Sequence, residues 1–383
     1  MSFSLPQGGA TMPYDDPVLN ALGGYFKSQE PGMRDRADAW ATAIGLQKVD
    51  GLTPSDFLLE TAKLHIEGKI TQNQARRRIG NYYAAKDESA KPDPDKEEPD
   101  KVSERIVAVI NDGAFEFTPE YFISIHAKLF KGVIQNAGKL RTYNIRKHEW
   151  VLKNDSVIYG SADTLKASLV RDFIDEREYD YGSKTTLQMI PHFARFVAQI
   201  WQVHPFPEGN TRTVAVFAVK YLKSLGYSVA DNMFKDNSWY FRNALVRANY
   251  ADYAKGVKRD WSYLESFFRN LLLGEGNELK SRYLLIGLTE EDKERIRLLS
   301  ETAEDRGGQK SVEKSVEKSG QKNVEKIFRF LSANPAATQN DLMHLTGLTR
   351  RGVERNLKLL KATGRLKRVG PDKGGHWEVS SGR

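Results

Sequence analysis

The run His204-Pro205-Phe206-Pro207-Glu208-Gly209-Asn210-Thr211-Arg212 places a proton acceptor, a carboxylate, a Gly-Asn turn and a forked cation within nine residues. Such a set suits chemistry on a nucleoside triphosphate. His204 can take a proton from a hydroxyl near neutral pH, which Lys or Glu does only after a large pKa shift. Glu208 is a hard oxygen ligand of the kind that holds Mg2+ together with substrate phosphates. Gly209 lets the backbone approach an anion, Asn210 can donate an amide N–H to a phosphate oxygen, and Arg212 can grip a diphosphate through a forked contact. A His before Pro, or one Gly-Asn turn, is by itself usually an ordinary helix-ending turn. Four compatible roles in adjacent positions are what single this run out.

Two helices must position the run. The spacing of Ile190, Phe193, Phe196, Val197, Ile200 and Trp201 predicts a helix ending near His204. Val214, Val216, Phe217, Val219, Tyr221 and Leu222 predict a second, buried helix starting near Thr211. The unpaired N–H groups and positive dipole end of that second helix would face the loop, a natural seat for a phosphate.

The nine residues resemble the signature of the Fic family, His-Pro-Phe-x-(Asp/Glu)-Gly-Asn-Gly-Arg-x-x-Arg, and the resemblance extends over about residues 105 to 275. It implies that His204 deprotonates a target hydroxyl, which attacks the α-phosphate of ATP so that AMP is transferred and pyrophosphate leaves. It also implies Mg2+ on Glu208 and a phosphate cradle of Gly209, Asn210, Thr211 and Arg212. Thr211 stands where the family has Gly, a mild change at a helix start. Ala215 stands where the second Arg would grip the γ-phosphate, which leaves the nucleotide open: ATP by default, with another nucleotide or another phosphate group as alternatives.

Gly138-Lys139-Leu140-Arg141-Thr142-Tyr143-Asn144-Ile145 looks like the strand that opens the Fic flap, and the stretch to Ile158 predicts a β-hairpin over the loop. An exposed strand edge can hold a target by main-chain pairing and so place a Ser, Thr or Tyr hydroxyl. Tyr240, Phe241 and Asn249 correspond to the family's adenine side, although aromatic residues at helical spacing are more often core.

Residues 33–85 predict three short helices. Ala37, Trp40, Ala41, Ile44 and Leu46 mark the first, Leu58, Leu59, Ala62, Leu64 and Ile66 the second, and Thr71 can cap a third with Ala75 and Ile79. This unit resembles the small antitoxins that inhibit Fic enzymes, whose motif is Ser/Thr-x-x-x-Glu-Gly/Asn. Leu46 takes the Ser/Thr place and Asp50 the Glu place, while the Arg that the Glu should meet is Ala215. With both partners altered, the usual salt-bridge clamp is expected to be absent, leaving packing, steric control or a different polar contact.

The chain of 383 residues is long enough for two or three domains. It has no Cys, hence no disulfide or thiolate zinc site, and no secretion-type apolar start or run of about 18 apolar residues, so the expectation is a cytoplasmic protein off the membrane. Two tracts read as linkers: residues 86–104, rich in Pro, Asp, Glu and Lys, and 301–323, which repeats Ser-Val-Glu-Lys. They divide the chain into a tail (1–32), the antitoxin-like segment (33–85), a Fic domain with flanking helices (105–300) and a C-terminal part (324–383).

Residues 324–383 carry about +7 of the net +8. Val324, Ile327, Phe328 and Leu331 predict one helix, Leu342 and Leu345 a second capped by Thr338, and Val353, Leu357 and Leu360 a third capped by Thr349. Residues 365–369 and 376–379 flank a Gly-Pro turn as a two-stranded wing. Arg350, Arg351 and Arg355 fall early on the third helix, where recognition helices meet bases and phosphates.

The expected fold is therefore mainly α: a Fic helical core with a short β-hairpin flap, plus a C-terminal winged helix-turn-helix. The expected function is a protein adenylyltransferase that uses Mg2+ and ATP on a hydroxyl of a partner protein or of itself. DNA is a second partner, and a homo-oligomer is compatible with the sequence. The competing reading is a DNA-binding regulator whose Fic part senses a nucleotide with little turnover.

Overall fold

The computed structural model describes residues 22, 24–28, 30–84, 93–229, 233–294, 326–332, 334–335, 337–346, 350–362, 365–369 and 376–379. The chain is mainly helical and divides into two compact units, Met1–Gly287 and Leu288–Arg383. The expected tail and the 301–323 linker lie largely or wholly outside the described residues.

The first unit contains ten long helices among the described residues: α1 (Pro31–Gln47), α2 (Asp56–Ile66), α3 (Gln72–Ala84), α4 (Pro94–Asn111), α5 (Pro119–Phe130), α6 (Leu165–Arg177), α7 (Thr186–Val203), α8 (Asn210–Ser224), α9 (Met233–Asn249) and α10 (Ser262–Leu273). The starts follow from local chemistry. Ser55, Asp93, Thr118 and Thr185 each cap the first turn of a helix through a side-chain oxygen, and Thr185 with Gln188 forms a reciprocal capping box. Helix α8 is the centre of the unit, because every residue from Asn210 to Leu222 is buried.

Three expectations change. The stretch read as an extended linker is largely helix α4, with residues 85–92 outside the described residues. Its prolines and acids read as disorder, yet Pro94 sits at the helix start, Asp95 and Glu97 fall in the first turn where the dipole favours them, and Val102, Ile106, Val107 and Ile110 bury the far half. The antitoxin-like helices are consequently not a separate body. α1 packs on α4 and α9, and Gly45 lets it cross α9 so closely that a Cβ there would overlap Lys235 Cα.

The third change concerns the flap. In place of a hairpin ladder, residues 139–158 form an irregular excursion closed by one bridge, Glu149 to Asp155, around a 3-10 turn at Trp150–Leu152. Lys153 and Asn154 turn the chain with positive φ angles of 52° and 70°, which suits a tight reversal and leaves no straight strand beyond it.

In the second unit a helix at 326–332, α11, is followed by α12 (Gln339–Thr346) and α13 (Arg350–Ala362), then by strands β1 (Leu366–Val369) and β2 (His376–Val379). The strands pair antiparallel, with Leu366 opposite Val379 and Val369 opposite His376. Ile327, Leu331, Leu342, Val353, Leu357, Leu360, Leu366 and Trp377 form its core. Thr338 caps α12 through the backbone N–H of Asp341 at 3.3 Å. Thr349, the turn at 347–348 and the strand connection at 370–375 lie outside the described residues.

Candidate active site

Helix α7 ends at His204, whose backbone is left-handed (φ 49°, ψ 58°), an uncommon conformation for a residue other than Gly. The ring is buried between Tyr159 and Trp201, with ring centres 4.3 Å and 5.2 Å away. Nδ1 lies 3.2 Å from the Trp201 carbonyl, an acceptor, so Nδ1 carries the proton. Nε2 is then the bare nitrogen, and it is buried without a hydrogen-bond partner among the described residues. Burial, then the positive charge of Lys147, Arg242 and Arg141, holds the imidazole well below its usual pKa despite the Trp201 contact. The His204 imidazole is neutral at physiological pH.

The loop after it is held from inside. Asn210 accepts the Phe206 N–H at 3.0 Å and donates to the Phe206 carbonyl at 2.7 Å, so its amide braces the turn rather than standing ready for a phosphate. Gly209 starts α8 with φ 74°, and a Cβ there would come within 2.5 Å of Phe130 Cε2. Thr211 Oγ1 accepts the Trp201 indole N–H at 3.0 Å, which ties the start of α8 to the end of α7. The residue that departs from the Gly of the signature thus has a structural task.

His126 on α5 supports the same loop and was not visible as a site residue in the sequence. The Gly138 N–H donates to its Nδ1 at 2.8 Å, so its Nε2 holds the proton and donates to the Glu208 carbonyl at 3.0 Å. Its ring stacks on Phe206 at 3.8 Å, and burial lowers its pKa to about 4, keeping it neutral. The Glu208 side chain is exposed at the loop surface.

Arg212 is engaged by residues from the N-terminal segment and α4. Its guanidinium is buried over the Phe130 ring at 4.7 Å, donates to Gln47 at 3.0 Å and to Glu98 at 2.9 Å, and lies with Nε 2.8 Å from Asp50 Oδ2. Of the alternatives left open by the altered pair, a different polar contact is the one present. Asp50 does meet a motif arginine, the first rather than the missing second, because the 3-10 turn Lys48–Asp50 carries its carboxylate to the side of α8 that Arg212 occupies. Ala215 is buried in the core of α8.

Further cations come from residues that pattern alone did not mark. Lys147, on the excursion, lies within electrostatic range of Asp50, Glu208, Glu149, Arg242 and His204, and burial pushes its ammonium down from the usual lysine range. Arg242 on α9 is held by Glu149 through two hydrogen bonds of 2.7 Å and 3.0 Å. Tyr240, Phe241 and Asn249 belong to the core: Tyr240 donates to the Tyr263 carbonyl, and Asn249 donates to the carbonyls of Ala198 and Leu245. Arg350, Arg351 and Arg355 lie on α13 in the other unit, and their side chains are outside the described residues.

No helix among the described residues is long and apolar enough to cross a membrane. No curated protein is significantly similar to the chain. Residues 116–222, from just before α5 through the motif loop and most of α8, match the family model described as the Fic/DOC family.

Proposed function

We propose that the first unit transfers AMP from ATP to a hydroxyl of a protein, with His204 as the general base. Domains of this family are associated with nucleotidyl or phosphate transfer to proteins. The observation that carries the reading is the bare, buried Nε2 of His204 beside the N-terminus of α8. Nε2 takes the hydroxyl proton, the oxygen forms a bond to the α-phosphorus, and the bond to pyrophosphate breaks. The first N–H groups of α8 have no intrahelical partner and point toward the loop, where they would receive phosphate oxygens. Lys147 would supply a cation that Ala215 does not.

Glu208 is an exposed carboxylate at the loop, which fits a Mg2+ held by one side chain together with substrate phosphates. Among the described residues no three His, Asp or Glu side chains converge as a preformed metal site, so most of the shell would come from the nucleotide and water. The ion would neutralise triphosphate charge.

A groove of about 890 Å³ runs past Tyr159, whose ring packs on His204, and is lined among others by Ile145, Ser156, Ile158, Tyr250 and Tyr253. Ile158 and Tyr253 are 82% and 78% exposed, an apolar rim suited to an extended target segment. The reading is tested with α-labelled ATP, Mg2+ and either the protein alone or candidate targets. Label on protein that disappears in His204→Ala, at unchanged ATP binding, supports it; equal labelling by both overturns it.

We further propose that the second unit is a winged helix that binds DNA. Three helices followed by an antiparallel pair, with α13 carrying arginines at its start, support the reading, as does the surplus of positive charge.

A further inference from the structure

Arg141 is 3% exposed, and its charge is met by carbonyls. Nε donates to the His204 carbonyl at 2.8 Å, Nη1 to Tyr143 at 2.6 Å, and Nη2 to Gly160 and to Val203, the last at 3.3 Å. Its own backbone N–H donates to the Pro205 carbonyl at 2.8 Å. One guanidinium thus joins the end of α7, the stem of the excursion at 143 and its return at 160. The acceptors at 203 and 204 are carbonyls at the negative end of the α7 dipole, where a cation is favoured.

This arrangement bears directly on the base. His204 leaves the helix in a left-handed conformation that an L-residue ordinarily avoids, and such a conformation persists only where the surroundings fix it. Arg141 holds the carbonyl of that residue and those on both sides of it. Fixing these carbonyls fixes the direction of the imidazole and keeps Nδ1 on the Trp201 carbonyl. The Gly160 N–H, which donates to the Gln202 carbonyl at 3.1 Å, and the packing of Tyr159 on the ring make the return segment part of the same support.

We infer that Arg141 is a positioning residue for His204: its fork on the Val203, His204, Tyr143 and Gly160 carbonyls sets the tautomer and direction of the base. The inference rests on the proposed function only in taking His204 as the base. A lysine could keep the charge but reaches one point instead of a fan of carbonyls, so charge and geometry are separable.

The test uses the full chain with Arg141→Lys and Arg141→Gln, and reads the His204 ring nitrogens by 15N NMR, assigned by comparison with His204→Gln. The wild type should show a single Nδ1–H tautomer. Both variants, melting as cooperative folds, should show a mixed tautomer, and Arg141→Gln should also titrate at higher pH than wild type because a positive neighbour is gone. Label transfer should fall at least tenfold in both with the KM for ATP within threefold. Unchanged His204 tautomer signals in a folded variant would overturn the inference, and so would loss of the fold in both variants, which would make Arg141 a general staple. Absence of labelling in the wild type would instead count against the proposed function, since the tautomer measurement does not depend on turnover.

Discussion

Asp50 Oδ2 and Arg212 Nε lie 2.8 Å apart, which couples the turn after α1 to α8, the central helix of the first unit. Glu98 approaches the same guanidinium from α4 at 2.9 Å, and Gln47 adds a neutral acceptor. A triphosphate that used Arg212 would have to compete with two carboxylates for one buried cation.

The first prediction follows from that competition. Asp50→Ala and Glu98→Gln each remove one negative charge from Arg212, and Gln at 98 preserves the hydrogen bond. Partly exposed ion pairs contribute about 1 kcal/mol, more as they become buried, which corresponds to several-fold to roughly tenfold tighter ATP binding in either variant. Glu98→Gln should have the larger effect, since Glu98 is 13% exposed against 39% for Asp50. Titration calorimetry giving the same ATP affinity in wild type and both variants would show that the phosphates do not engage Arg212.

A second prediction concerns the pH profile of labelling. His204 must be neutral to accept a proton, and its pKa lies well below 6.5 because it is buried among cations. The acid limb of kcat/KM, which reports the free enzyme, should therefore lie well below pH 6.5, with little loss of rate between about pH 8 and 6.5. An acid limb centred at 6.5 or above would mean that the ring is solvated and that Nε2 is not the base.

A third prediction reads stability instead of turnover. Glu176 on α6 is buried, accepts from Tyr181, lies 2.7 Å from His192 Nε2, and burial raises its pKa to about 7. Because the folded pKa lies above the unfolded one, near 4.3 to 4.5, its contribution is fully present below that lower value and is lost as pH rises through about 7. The drop in melting temperature between about pH 5 and pH 8 should be smaller in Glu176→Gln than in wild type. Parallel curves would show that the carboxyl is ionised throughout.

What the sequence disclosed and what it hid divide along the range of the interactions. The 3.6-residue spacing of apolar side chains located α7 and α8, and the His204–Arg212 run located the loop between them, because both signals are local. The environment of Arg212 was hidden: its partners Gln47 and Glu98 lie 165 and 114 residues away in sequence, and no periodicity reports such a pairing. Glu98 was doubly obscured, since the prolines and acids around it read as solvated linker while the helix they start carries buried residues from Pro99 onward. The flap misled in the opposite direction. Its irregular β pattern and likeness to the Fic flap suggested a hairpin, but the turn at Lys153 and Asn154 leaves a single bridge.

The last prediction concerns the second unit. The basic surplus of residues 324–383 should give the full-length protein affinity for duplex DNA that falls steeply with salt, because each Lys or Arg on a phosphate releases condensed counterions. Substituting Arg350 and Arg351 by Ala on α13 should weaken duplex binding by about 1–3 kcal/mol for each of the two that reads a base, and should flatten the salt dependence for each that meets a phosphate. ATP affinity should not change, since the motif loop belongs to the other compact unit. A gel-shift or anisotropy series across salt, run on both proteins, separates the outcomes. Salt-insensitive binding, or an Arg350→Ala/Arg351→Ala variant that binds duplex as tightly as wild type, would turn the unit toward protein partners while leaving the match of residues 116–222 to the Fic/DOC family model untouched.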